Sequence, residues 1–110
     1  MKYGKVKFHD GIYIGGFDEN NSNMRVGTFR YKDRRVASGI IEDGVLSTGT
    51  ISFSDGRVFY AEDRFDEDST YDGSMFETNG TWSQRVYDSG MMKLIDGWKF
   101  DAHGECEEVG

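Results

Sequence analysis

An Asp-Gly or Asn-Gly pair, or a close variant of one, returns along this chain at Asp10-Gly11, Asp33-Arg34, Asp55-Gly56, Asn79-Gly80 and Asp96-Gly97. The steps between first members are 23, 22, 24 and 17 residues, a period with a shortened last unit. Such pairs favour two-residue type I′ turns, whose central residues need positive φ and whose twist matches the strands they join. Each pair therefore predicts a β-hairpin. Six residues before each turn stands a glycine, at Gly4, Gly27, Gly49, Gly73 and Gly90, so the unit reads G-x-x-x-x-x-[DN]-G with Arg34 as the exception. Self-similarity at this spacing marks an array of one supersecondary unit.

The columns of the unit alternate as strands do. Two residues after the glycine come Val6, Phe29, Ile51, Met75 and Met92, and four after it come Phe8, Tyr31, Phe53, Glu77 and Leu94, apolar in four of five cases. Between them lie Lys7, Arg30, Ser52, Phe76 and Lys93, mostly polar. Period two gives each strand one buried and one wetter face. A two-residue turn then pairs Phe8 with Tyr13, Tyr31 with Val36, Phe53 with Val58 and Glu77 with Trp82. The links between units read as a polar loop at 18–23, a tight turn at Asp43-Gly44, an acidic loop at 66–69 and a turn at 88–90. No segment has a helical pattern. The expectation is one all-β domain over 1–110, an antiparallel up-and-down meander of about ten short strands. These fall near 5–8, 12–17, 25–31, 35–41, 46–53, 57–63, 70–77, 81–87, 91–95 and 98–103, and the sheet is open and twisted rather than closed into a barrel.

Composition limits what such a sheet can do. Hydrophobic residues make up 36% and charged residues 30%, with fifteen glycines and no proline, so the core is thin. Aromatics, at 15%, carry much of the burial, about 150–250 Å² per ring. The net charge of −7 repels phosphate backbones and anionic headgroups, so neither a nucleic acid nor a membrane is an expected partner. A single cysteine, Cys106, closes no intrachain disulfide and suits a reducing compartment. No run approaches the roughly 18 apolar residues of a membrane helix, and the N-terminus lacks the apolar core of a signal peptide. A complete, cytoplasmic chain is expected.

Nothing in the sequence selects an enzyme. Asp101, His103, Glu105 and Cys106 cluster near the C-terminus, but there is no C-x-x-C pair and the other histidine, His9, sits at the opposite end of the array, so no metal or cofactor is expected. The acidic stretch 62–68 lacks the ligand spacing of an EF-hand loop and reads as a solvated loop. Neither G-x-S-x-G nor G-x-x-x-x-G-K-[ST] occurs, and with twenty acidic residues a carboxylate pair for glycoside hydrolysis can be drawn almost anywhere. Lys5, Lys7, Arg30, Lys32, Arg34 and Arg35 fall in the first two units, as a basic stripe or as charges that keep strand edges soluble. A single sheet cannot bury both faces, so a contiguous patch of exposed rings would mark a partner site. Phe8, Tyr13, Tyr31, Phe53 and Trp82 are the candidate partner-binding residues.

Written as glycine, four residues, an aromatic, Asp-Gly, then Tyr-x-Gly-x-Phe, the unit resembles the MORN repeat. The best copy is Gly4-Lys5-Val6-Lys7-Phe8-His9-Asp10-Gly11-Ile12-Tyr13-Ile14-Gly15-Gly16-Phe17, and a partial one runs from Gly49 to Phe59. The glycine of Tyr-x-Gly is kept only at Gly15, with Ser38, Tyr60, Gln84 and Asp101 in its place elsewhere, while Tyr71-Asp72-Gly73 restores the triplet at the start of a unit. The resemblance implies an elongated curved meander that is non-enzymatic and binds peptides or helices in an aromatic groove, or self-associates through end strands. Lipid binding is also ascribed to the family, but the acidity of this chain argues against it. The functional expectation is a protein-interaction module taking a partner peptide or helix, or a second copy as a homodimer. The alternative is a small, phage-type acidic inhibitor whose carboxylates at 62–68 and 105–108 occupy a basic nucleic-acid site on a target protein.

Overall fold

Alternating apolar and polar residues bounded by turn chemistry produce ten strands in a computed structural model that describes residues 2–17, 24–42, 45–65, 67–90 and 92–110. They are β1 (Lys2–Phe8), β2 (Gly11–Phe17), β3 (Met24–Tyr31), β4 (Val36–Glu42), β5 (Val45–Ser52), β6 (Val58–Phe65), β7 (Thr70–Phe76), β8 (Trp82–Asp88), β9 (Lys93–Phe100) and β10 (Cys106–Val109). All belong to one antiparallel sheet whose spatial order is the chain order, as the repeat predicts. The sheet is open: β1 and β10 are its two edges. The links expected at 18–23 and at Asp43-Gly44, and Asp66 of the acidic loop, lie outside the described residues.

One row of mostly small residues crosses the whole sheet. Gly4, Gly15, Gly27, Gly39, Gly49, Ala61, Gly73, Arg85, Gly97 and Val109 stand opposite one another in successive strand pairs. Aromatic rings of the inner face lie over this row. A Cβ on Gly27 would come within 2.6 Å of the Tyr13 hydroxyl, so the ring occupies the space a side chain would need. Gly39 and Gly49, paired with each other, have φ of 141° and 145°, a region that L side chains rarely adopt. On one side of the row the inner face carries Tyr13, Phe29, Ala37, Ile51, Phe59 and Met75, and on the other Ile41, Leu46, Tyr71, Tyr87 and Leu94, all buried. The small row lets these two banks close on each other, and in this way a single sheet forms a core.

Within each hairpin the register is regular, whereas every link between hairpins carries a β-bulge, near Gly15/Phe17, Ile40/Ile41, Ala61/Asp63 and Val86/Tyr87. Bulges add local twist and bend, so curvature enters once per unit. The bank sizes alternate as well. Tyr13 and Phe59 are large where Ala37 and Ser83 are small, and Tyr87 fills from the opposite bank. Tyr13 to Phe59, Ala37 to Ser83 and Ile41 to Tyr87 are each 46 residues apart in numbering, so packing repeats every two units.

Four of the five turns differ from the expected two-residue type, whereas the first is a two-residue turn at His9-Asp10, between the paired Phe8 and Gly11. Phe53 N–H donates to the Arg57 carbonyl at 2.9 Å and Gly56 N–H to the Phe53 carbonyl at 3.1 Å, which closes a three-residue loop over 54–56. Its third residue is left-handed, at φ 99° for Gly56, 76° for Arg34, 88° for Gly80 and 88° for Gly104. A type I turn followed by such a residue is the usual three-residue hairpin. The extra residue slips the predicted pairing by one, and a slip of one turns a side chain to the other face. Arg30 pairs with Val36, Ser52 with Val58, and Phe76 with Trp82; in the first hairpin the turn comes one residue early and the pairing slips by two, so Val6 rather than Phe8 faces Tyr13 and the faces are kept. Val36, Val58 and Trp82 therefore point outward, and Ala37, Phe59 and Ser83 take the inner positions. Asp96-Gly97 is not a turn but lies inside β9, where Gly97 joins the small row opposite Arg85. The last hairpin turns at 102–104, and the opening glycines are Gly4, Gly27, Gly49, Gly73 and Gly97 rather than Gly90, which makes the fifth unit full length.

Candidate functional site

Two consecutive hairpins build the same small device at their turns. Asp33 Oδ1 accepts the Arg35 backbone N–H at 3.0 Å and its Oδ2 accepts Arg35 Nε–H at 2.8 Å. Asp55 and Arg57 repeat both contacts at the same distances. The backbone N–H first, and then the guanidinium, hold both carboxyls below the usual aspartate pKa. Held by its aspartate, each guanidinium lies over the aromatic ring before the turn, Arg35 4.5 Å from the Tyr31 centroid and Arg57 4.6 Å from that of Phe53. Phe8 continues this inner rim. It stacks on Phe29 at 5.7 Å and stays 39% exposed, and Phe29 in turn meets Tyr31 at 4.7 Å.

 Both Tyr31 and Phe53 pack on the buried cluster with one side open to the rim.

The device stops at the fourth unit. There Asn79 Oδ1 accepts the Thr81 backbone N–H at 3.0 Å and the Thr81 hydroxyl at 2.6 Å, so a threonine replaces the arginine. In the fifth unit Asp101 Oδ1 accepts the backbone N–H groups of His103 and Glu105, both at 2.9 Å. That carboxylate, drawn in the sequence as a conceivable metal ligand, is occupied in shaping its own turn. Among the described residues no group of three or more His, Cys, Asp or Glu side chains is placed to hold a metal ion. Along the rim the residues thus run from Phe8, Tyr31, Arg35, Phe53 and Arg57 to Glu77, Thr81, Asp101 and Glu105.

The five predicted contact residues separate. Phe8, Tyr31 and Phe53 share the inner rim. Tyr13 is one row deeper, with 0% exposure, and its hydroxyl donates to the Gly16 carbonyl at 2.7 Å, so its surface serves the core. Trp82 is on the outer face. There it stacks between Phe76 at 5.9 Å and Phe100 at 4.1 Å with the planes within 12° and 10°, and Tyr60 meets Phe76 edge-on at 5.5 Å. The sequence reading missed this ladder because it placed Trp82 inward. The signal was Glu77, the one polar member of its column, with the apolar Phe76 beside it. Asp33-x-Arg35 and Asp55-x-Arg57, 22 residues apart, were a second visible signal.

Burial raises the hydroxyl pKa of Tyr31, Tyr71 and Tyr87, and the last two hydroxyls are hydrogen-bonded within the sheet. Tyr71 donates to the Leu46 carbonyl at 2.6 Å, and the Tyr87 oxygen accepts Met75 N–H at 3.2 Å beside Ser83 Oγ at 2.6 Å. No helix among the described residues is long and apolar enough to cross a membrane. No protein-family model matches the chain, and no curated protein matches it.

Proposed function

We propose that this chain is a non-enzymatic, MORN-like interaction module of the cytoplasm, whose inner rim takes a peptide segment of a partner protein. The observation that carries this reading is the pair of aspartate-anchored arginines laid over Tyr31 and Phe53, next to the exposed ring of Phe8. The two clamps begin strands two apart in the sheet, about 9.5 Å by ordinary strand spacing. That distance matches one turn of a polyproline II segment, three residues at about 3.1 Å each, whose side chains at i and i+3 share a face, so the two clamps can receive successive apolar or aromatic anchors. Fixing each guanidinium in advance lowers the ordering cost of binding. A nucleic acid or a membrane surface fits poorly, because beyond Arg57 the rim turns to Glu77, Asp101 and Glu105.

A photo-crosslinking residue at Phe8 or Phe53 tests this, with Tyr60 on the outer face as the control. The reading predicts capture of one peptide segment from the rim positions and not from Tyr60. Equal capture from both faces, or none from the rim, would overturn it. The acidic-inhibitor reading draws on residues 43–110, which hold fifteen acidic and five basic side chains. Its two acidic segments are separated, however, since β8 and β9 lie between the β6–β7 link and β10.

A further inference from the structure

In a sheet whose spatial order is the chain order, charge asymmetry along the sequence becomes asymmetry along the molecule. Residues 1–42 carry eight basic and five acidic side chains, and residues 43–110 carry five and fifteen. The longest dimension is 48 Å, consistent with ten strands laid side by side. The two edges are therefore of opposite sign. The β1 edge bears Lys2, Lys5 and Lys7, all exposed, and the β10 edge bears Glu107 and Glu108, also exposed, just after Glu105. Each edge strand pairs on one side only, leaving its outer backbone N–H and C=O groups without a strand partner.

We propose that copies of this chain associate head to tail, the β10 edge of one pairing antiparallel with the β1 edge of the next so that Glu108 stands opposite Lys5. Direction permits it: strands alternate through the sheet, β1 and β10 run oppositely, and a following β1 continues the meander. Register follows from the small row, which passes through Gly4 at one edge and Val109 at the other. Extending each row by one strand sets Gly4 opposite Val109, Lys5 opposite Glu108, Val6 opposite Glu107 and Lys7 opposite Cys106. Pairing like edges would juxtapose lysines or glutamates, so the charge pattern disfavours both symmetric dimers and selects the mixed contact. Such a contact is heterologous and generates a ring or an open filament. The four residues of β10 make it weak and sensitive to salt.

Sedimentation velocity of the whole chain under reducing conditions, across concentration and salt, tests it. Wild-type protein should grow in mass with concentration at low salt and return to a single chain at high salt. Lys5→Glu and Glu108→Lys alter exposed side chains and should each weaken association roughly tenfold. Circular dichroism establishes that each variant is folded. The double variant, and an equimolar mixture of the two single variants, should recover association, since each restores opposite charges at the contact. A wild-type chain that stays monomeric at low salt and high concentration would overturn the proposal. So would association indifferent to either swap, or growth that stops at a symmetric dimer.

Discussion

Tyr13, Phe59 and Tyr87 on the inner face are sealed to 0–1% exposure, whereas Tyr60, Phe76, Trp82 and Phe100 on the outer face stack on one another with their rims in water. The inner rings lie over a row made mostly of glycine, and the two tyrosine hydroxyls are bonded to neighbouring groups. The outer rings need no such row, because they rest on each other. Burial sets the stabilising value of the first group, and ring-to-ring contact that of the second. The difference also explains why the outer ladder spans only β6 to β9 while the inner core runs through most of the sheet.

The largest effect should come from Phe59→Ala, which empties a fully buried position and should cost about 3–5 kcal/mol in denaturant unfolding. A loss below about 1 kcal/mol would mean that the two banks do not seal as described. Gly27→Ala should cost about 1–3 kcal/mol by overpacking against the Ile14 carbonyl and the Tyr13 hydroxyl, and pairing it with Tyr13→Phe should recover only the part due to the hydroxyl. Trp82→Ala removes two stacked contacts and should cost about 1–2 kcal/mol. If it cost as much as Phe59→Ala, the distinction between the faces would fail. Arg57→Ala removes a half-buried guanidinium from the Phe53 ring and should cost about 0.5–1 kcal/mol.

The buried tyrosines give the comparison a dependence on pH. Tyr31, Tyr71 and Tyr87 have hydroxyl pKa values raised above 10.0 in the folded chain by burial. Below pH 10 both folded and unfolded chains hold these protons and the full stability is present. Above it the unfolded chain releases them first, so stability falls as pH rises towards the folded pKa values. Thermal melts between pH 8 and 11 should show this fall, and Tyr87→Phe should lessen it.

Much of the architecture was legible because glycine spacing and period-two alternation are local and repeat five times. Fold class, strand number and order all follow from that, and so do the first four opening glycines. The faces were harder to read. Asp-Gly suits a two-residue turn and equally the last two positions of a three-residue one, and the choice moves Val36, Val58 and Trp82 to the other side. Asp96-Gly97 shows the same ambiguity, since a glycine needed for close strand approach looks like a glycine needed for a turn. For the candidate site, Phe8, Tyr31 and Phe53 were legible as a column. The arginine clamps were not read, because their meaning depends on the three-residue loop bringing Arg35 and Arg57 back over the preceding ring.

The backbone of every described strand pairs only with the strands next to it in the chain. Closing each contact therefore means bringing together segments separated by one short turn or link, and the entropic cost of doing so is paid in small, equal steps. A chain built this way can start to order at any hairpin and spread outward in both directions, with its middle the last part to come apart and its two ends the first.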